Sequence, residues 1–403
     1  MRHRLAPAAV VLAAAFVLTA HALTPSAPMS TMPAAVPARA NADPQKLVVH
    51  EWGTFTSIAA EDGSAMMWVP QQGPADLPCF VRNVQYDLKG WLLGTVRMET
   101  PVLYFYAPRE TTVDVKVRFK RGAITEWYPN AEAAPARVNT TMISDPSFEG
   151  SIAWKGVRVL PGARESFPTE SSENHYYVAR RTDASPVLVG SQSEKFLFYR
   201  GVGNFPPPLR ATIARDGRVS VSAVDGQPAG DVILFANRRG TTTFRAERIE
   251  AERADLAPLP RPSASSSPRE TLVQLLVKHG LYVKEARAMV DTWQDSWFED
   301  GTRLFYVMSK ETVDALLPLE ITPAPDAVSR VFVGRLELIS QASLDDLKRA
   351  IDARERAGVA RYGRFLRPML ERLGLSNVAP RDPAAAAAAF AYQSVSPAPR
   401  VCQ

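Results

Sequence analysis

The sequence predicts two domains, a mainly antiparallel, sandwich-like β domain over 46–257 and a smaller α+β domain over 268–379. Three observations lead there. Short alternating or aromatic-rich runs, each closed by turn residues, recur over roughly two hundred residues with no long helical pattern, as in antiparallel β folds. The composition then breaks at 258–267, where Pro258, Pro260, Pro262 and a run of serines read as a linker. Beyond it, the apolar spacing changes to that of amphipathic helices mixed with strands. At 403 residues with 46% hydrophobic and 22% charged side chains, the chain can fill two cores.

The first residues are read as a signal peptide, 1–22. Arg2 and Arg4 precede an apolar run over 5–19, and Ala20 and Ala22 supply the small residues that a signal peptidase reads. The run is short for a membrane span of about 20 residues. No later segment is apolar enough to cross, so no transmembrane segment is expected after cleavage. The expected location is secreted or periplasmic. Residues 23–45, rich in Pro, Ala, Ser and Thr, are expected to be a disordered spacer.

Strands are expected over 47–58 and over 99–106, the latter with aromatics on both faces, as in a strand covered on both sides. Residues 113–119 alternate apolar and charged, the pattern of a strand with one buried face. Strands over 124–129 and 152–160 follow. A hairpin is expected from strands 175–180 and 194–200, stopped by Gly201 and Gly203. Asp216-Gly217 and Arg239-Gly240 each suit a tight turn between paired strands.

After the linker, Ser267, Pro268 and Glu270 form a capping-box signature for a helix that ends at Gly280. A helix over 285–298 places Ala286, Met289, Val290, Trp293 and Trp297 on one face. Strands over 303–308 and 330–339 come next, then an Arg-rich helix capped by Ser343 and reaching Gly374. The tail 380–403 is expected to be mobile.

The formal charge is +5, and the basic residues are scattered among acids. A nucleic-acid binder more often groups them in a block or stripe, so no nucleic-acid partner is expected. Cys79 and Cys402 are the only cysteines. In an oxidising compartment they could pair; the alternative is a buried thiol at 79 and a loose one in the tail.

The stretch 168–203 gathers His, Glu, Arg and Tyr more densely than any other. Catalysis by paired carboxylates, as in glycoside hydrolysis, would draw on Glu99, Glu126, Glu173 and Glu194, with His175 beside them. Trp52, Trp127, Tyr128, Tyr176 and Arg200 are the candidate ligand-contacting residues, the rings as platforms for sugars. Against this, Trp and Tyr build β cores as a matter of course.

A divalent metal could be held by His50 and His175 with Glu51 and a carboxylate such as Glu99 or Glu126, although no His-Glu-x-x-His, Cys-x-x-Cys or His-x-His spacing occurs. No other cofactor is expected. Asp291, Asp295 and Glu299 form an acidic stripe, read as an exposed helix face paired with Lys284 or Arg287. Gly-x-Ser-x-Gly and phosphate-cradling glycine patterns are missing, which argues against serine hydrolases and nucleotide folds. The reading is a secreted envelope or periplasmic protein that binds a small molecule, a glycan or an envelope protein. The alternative is a secreted polysaccharide hydrolase using paired carboxylates, with or without a metal.

Overall fold

The computed structural model describes residues 46–71, 77–86, 92–170, 174–261 and 267–375. The expected signal peptide, spacer and tail lie outside them, as do residues 262–266 of the linker. The described chain is mostly β, with several antiparallel sheets.

A nine-stranded sheet organises it. Its order is Thr241–Ile249, Gly230–Arg238, Gly301–Val307, Ala327–Leu338, Val48–Ala59, Val96–Tyr106, Leu197–Gly203, Gly122–Tyr128 and Arg82–Asn83. Neighbours run antiparallel except at the centre, where Val48–Ala59 lies parallel to Ala327–Leu338 in unbroken register from Val48↔Ala327 to Ala59↔Leu338. The division into domains at 46–257 and 268–379 therefore does not describe this sheet. Strands Gly301–Val307 and Ala327–Leu338, assigned by sequence to the second domain, sit between Gly230–Arg238 and Val48–Ala59 of the first. A parallel partner can be recruited from any distance along the chain, because it needs a crossover and leaves no hairpin signal.

Both faces of the sheet are covered, which is why Val48–Ala59 and Val96–Tyr106 are buried along their whole length. On one face Val49, Phe55, Leu103 and Phe105 share a core with Val113, Val117 and Phe119 of a six-stranded sheet and Leu209 and Val221 of a three-stranded one. In strand Thr111–Lys120 of that second sheet, Val113, Val115, Val117 and Phe119 are buried and the residues between them are not, as the alternation predicts.

On the other face Trp52, Tyr104, Phe196, Phe198, Phe235 and Val333 pack against Leu272, Leu276, Met289, Trp293 and Trp297 from helices that follow the linker. The sheet is thus a shared wall, met by strands on one side and helices on the other. A third cluster seats Phe365 and Leu366 on Ile58, Trp68 and Ile339 at the sheet's end. Among the described residues no helix is long and apolar enough to cross a membrane.

Local chemistry accounts for several boundaries. Ser267 Oγ accepts from the Glu270 amide with Pro268 in the first turn, so helix Pro268–Lys278 starts where the capping signature predicts. The turn between Gly230–Arg238 and Thr241–Ile249 holds Arg239 at φ 54° and Gly240 at φ 84°, the paired positive angles of a primed hairpin turn.

Three expectations need correction. Residues His175–Arg180 form a 3₁₀ helix, because the Asn174 side chain accepts from the Tyr176 amide and starts a turn where the residue types favour a strand. The expected helix over 285–298 is two, Val283–Thr292 and Gln294–Trp297, joined at Trp293. The last helical region is capped by Ser340, not Ser343, and is divided into Gln341–Asp352, Arg356–Ala360, Gly363–Phe365 and Leu366–Arg372.

Candidate functional site

The residues singled out by sequence do not assemble into one site. Glu194 is fully buried; its carboxylate accepts from Arg180 Nε at 2.9 Å and Nη2 at 2.7 Å, from the Tyr176 hydroxyl at 3.1 Å and from the Lys195 amide at 2.7 Å. Burial raises its pKa despite those donors. It pins the 3₁₀ helix to the sheet and has no second carboxylate facing it among these contacts. His175 is 44% exposed and meets Asp295 at 3.3 Å. Glu173 lies outside the described residues. Glu126 is half-buried and accepts from the neighbouring Thr125 hydroxyl.

His50 is committed to the helix layer. Its Nδ1 lies 2.7 Å from Glu285 Oε2, and its ring packs 4.4 Å from the Tyr282 ring. Glu285 also accepts from the Tyr106 hydroxyl at 2.7 Å and the Tyr282 amide at 2.8 Å, closing a capping box. His50 and His175 thus have different carboxylate partners, and among the described residues no group of three or more His, Cys, Asp or Glu could hold a metal ion. The expected metal pair is not brought together. Cys79 is not a free thiol, and Cys402 lies outside the described residues.

The aromatic candidates are core residues. Trp52, Tyr128 and Tyr176 are buried in the helix-side cluster and Trp127 in the sheet-side cluster. A ring packed on both faces has none to offer a sugar. The acidic stripe is also dispersed: Asp291 pairs with Arg269, Asp295 with His175 and Glu299 with Arg335.

What the structure does assemble is a polar band across the helix-side face of the large sheet, below the aromatic cluster. Alternate residues of Val48–Ala59 face the helices, so Thr54 and Thr56 continue the line that carries Trp52 above and Ile58 below. Thr56 lies opposite Arg335 on one neighbouring strand and Arg97 on the other, and Thr54 lies opposite Glu99. Strand Val96–Tyr106 carries an extra residue between Glu99 and Val102, with Thr100 at φ 47°. That bulge turns Glu99 and Arg97 onto the helix side.

Glu99 is fully buried and accepts from Arg364 Nη1 at 2.6 Å. Burial alone would raise its pKa, but Arg364, Arg97, Arg335 and Arg200 together hold it below the ordinary carboxylate value. Arg200, opposite Glu126 in the next pair, is itself buried.

The band continues outward. Arg303 is fully satisfied: it donates to Glu337 at 2.9 Å, to the Trp297 and Glu299 carbonyls at 2.8 and 2.7 Å, and to the Asp300 carbonyl at 2.9 Å. Arg335 is fully buried and donates only from Nη2, to Glu299 at 2.7 Å and Glu337 at 3.4 Å. Burial, with Arg303 and Arg364 nearby, pushes its pKa down to about 10. Phe365 lies under both cations, 5.0 Å from the Arg335 guanidinium carbon and 5.1 Å from that of Arg364.

Of this band the sequence reading found Glu99 and Arg200 and missed Arg97, Arg335, Arg364, Thr54 and Thr56. A usable signal was present: Arg335 and Glu337, on one face of a largely apolar strand, interrupt its run of buried residues.

A separate cleft of about 320 Å³ lies at the strand ends among Glu61, Arg215, Leu338, Gln341 and Arg372. None of the sequence-predicted residues lines it, and Arg372 already meets Glu61 at 3.1 Å.

No protein-family model and no curated protein matches the chain. Among solved structures it aligns with the yeast delta-COP-I mu-homology domain complexed with a Dsl1 WxWxV peptide, at 10% identity over 73% of this chain and 96% of that one, with a TM-score of 0.28. The same yeast domain alone aligns at 8% identity over 73% and 98%, with a TM-score of 0.27. Likeness at this level carries no argument about fold or function.

Proposed function

We propose that the chain is a secreted protein of the bacterial envelope or periplasm that binds a ligand, and that its recognition chemistry is cationic. The observation that carries this reading is that four arginines, Arg364, Arg97, Arg335 and Arg200, act together on the buried Glu99 carboxylate, with Arg364 bonded to it at 2.6 Å. Among the small molecules, glycans and envelope proteins that the sequence suggests as partners, this favours one bearing negative charge.

The same observation weighs against the hydrolase. A general acid must hold its proton near neutral pH, which requires a raised pKa. Glu99 is shifted the other way. Glu194 is shifted upward, but its oxygens are occupied by Arg180, Tyr176 and the Lys195 amide, leaving no position for a glycosidic oxygen.

The test begins with expression of the full chain in a Gram-negative host and sequencing of the mature N-terminus from the periplasmic fraction. Cleavage after Ala22 is expected. Native mass spectrometry of that material, compared with its denatured mass, then reads a retained ligand. Hydrolysis of a polysaccharide panel that disappears in folded Glu99→Gln or Glu194→Gln protein would overturn the binding reading.

A further inference from the structure

We propose that the arginine-rich band holds a small oxyanion, seated on Arg335 and on the hydroxyls of Thr54 and Thr56. This deepens the binding reading above and rests on it.

The donors are built and unmet. Thr54, Thr56 and Arg335 are each fully buried. Among the described residues neither threonine hydroxyl has a hydrogen-bond partner, and neither do Nε and Nη1 of Arg335. Folded proteins rarely leave buried donors in this condition, least of all on a charged group, so these atoms mark a place where something from solution sits. The sheet brings them together without any loop. Thr54 and Thr56 are two residues apart on one strand face, and Arg335 is the direct neighbour of Thr56 on the parallel strand. Side chains so paired across a sheet lie within reach of one common guest.

Charge separates an anion from a water molecule. Water would satisfy the hydrogen bonds but leave the electrostatics as they are. Arg335 shares Glu337 with Arg303 through hydrogen bonds, and it faces Arg364 as a second nearby cation. At Arg335 itself the repulsion from Arg303 and Arg364 outweighs the attraction of Glu299 and Glu337, so an anion relieves a repulsion that water cannot.

An oxyanion fits better than a halide. Two hydroxyls and the separate nitrogens of a guanidinium ask for several acceptor oxygens spread in space, the geometry for which guanidinium is suited. The guest must be small, because the Phe365 ring already covers one side of both Arg335 and Arg364. Its route is beside Glu299, whose side chain is 26% exposed, and Arg364, at 11%.

The experiment titrates the mature protein with inorganic phosphate, sulfate and acetate, each against sodium chloride of equal ionic strength. It follows the thermal midpoint and the heat of binding. A saturable rise with at least one oxyanion and none with chloride is expected. The ranking of phosphate and sulfate against acetate separates a phosphoryl or sulfuryl guest from a carboxylate.

Thr56→Val removes an unpartnered hydroxyl with little change of shape, so the variant is expected to fold at least as well as the parent in chloride. Its oxyanion affinity is expected to fall about tenfold, the worth of one hydrogen bond to a charged guest. Arg335→Gln is expected to lose more, about 30-fold or beyond. Equal responses to the oxyanions and chloride would overturn the proposal, as would an oxyanion response unchanged in Thr56→Val. A larger anionic ligand retained in the native mass, with no response to the small oxyanions, would remove this site and leave the binding reading standing.

Discussion

Replacing Glu51 by Ala tests whether buried ion pairs hold the two distant halves of the sheet together. Glu51 is fully buried on strand Val48–Ala59. Its Oε1 accepts from the Tyr199 hydroxyl at 2.5 Å, and its Oε2 from Arg330 Nε at 2.6 Å. Arg330 also donates from Nη1 to Asp314 at 2.8 Å and to the Leu317 carbonyl at 2.7 Å. One carboxylate thus ties strands Leu197–Gly203 and Ala327–Leu338 to the strand between residues 48 and 59, with helix Lys310–Leu316 behind them.

Burial alone would lower the Arg330 pKa, yet Glu51 raises it overall, so the pair is electrostatically engaged. Glu51→Ala leaves Arg330 buried with Asp314, 40% exposed, as its remaining ion-pair partner among the described residues. Breaking a buried pair in this way costs about 3–5 kcal/mol. The loss of the Tyr199 hydrogen bond falls within that figure, because groups in one network do not add. Glu51→Met with Arg330→Met removes both charges and is expected to recover most of the loss, with a coupling of about 2–3 kcal/mol in the double-mutant cycle. Urea midpoints at constant m-value give each term. A Glu51→Ala protein within about 1 kcal/mol of the parent, or a cycle with no coupling, would refute the reasoning.

Three further outcomes follow from the same contacts. Asp231 is held below its ordinary pKa of 3.8: burial opposes this, but Lys278 at 3.0 Å and His279 at 2.9 Å prevail. Its stabilisation is therefore present above the unfolded value and lost as pH falls through the folded one. The parent should lose thermal stability faster than Asp231→Asn on acidification below about pH 4, and parallel profiles would count against the cluster. Glu194→Ala should free the 3₁₀ helix from the sheet, seen as faster amide exchange over His175–Arg180 and a loss of about 3 kcal/mol or more; unchanged exchange there would argue that the aromatic packing alone holds it. At Gly334 an added Cβ would lie 2.0 Å from Tyr306 Cζ, so Gly334→Ala should cost about 1–3 kcal/mol through displacement of that ring, read from the urea midpoint.

What was legible in the sequence is what short-range physics decides. The Ser267 cap, the Arg239-Gly240 turn and the alternation over 113–119 depend on neighbours in the chain, and each appears where its residues predict. The parallel pairing of Val48–Ala59 with Ala327–Leu338 depends on none, and the two-domain reading failed at that pair. The density of functional residue types over 168–203 misled for a related reason. Tyr176, Arg180 and Glu194 bond to one another, which consumes their chemistry in holding a turn to a sheet, and His175 meets Asp295 instead.

The band around Arg335 has the opposite character. Its members come from strands and turns far apart in the chain, and each is unremarked in its own segment. A buried charge on a central strand costs free energy unless it is matched, so such residues persist where the fold or a ligand answers them. Arg303 is answered on all three nitrogens, by Glu337 and three carbonyls, and Arg330 on two, by Glu51, Asp314 and the Leu317 carbonyl, with Nη2 unpartnered among the described residues. Arg335 is answered on one nitrogen only. That difference between arginines of similar burial is the reason to look for a ligand at this one.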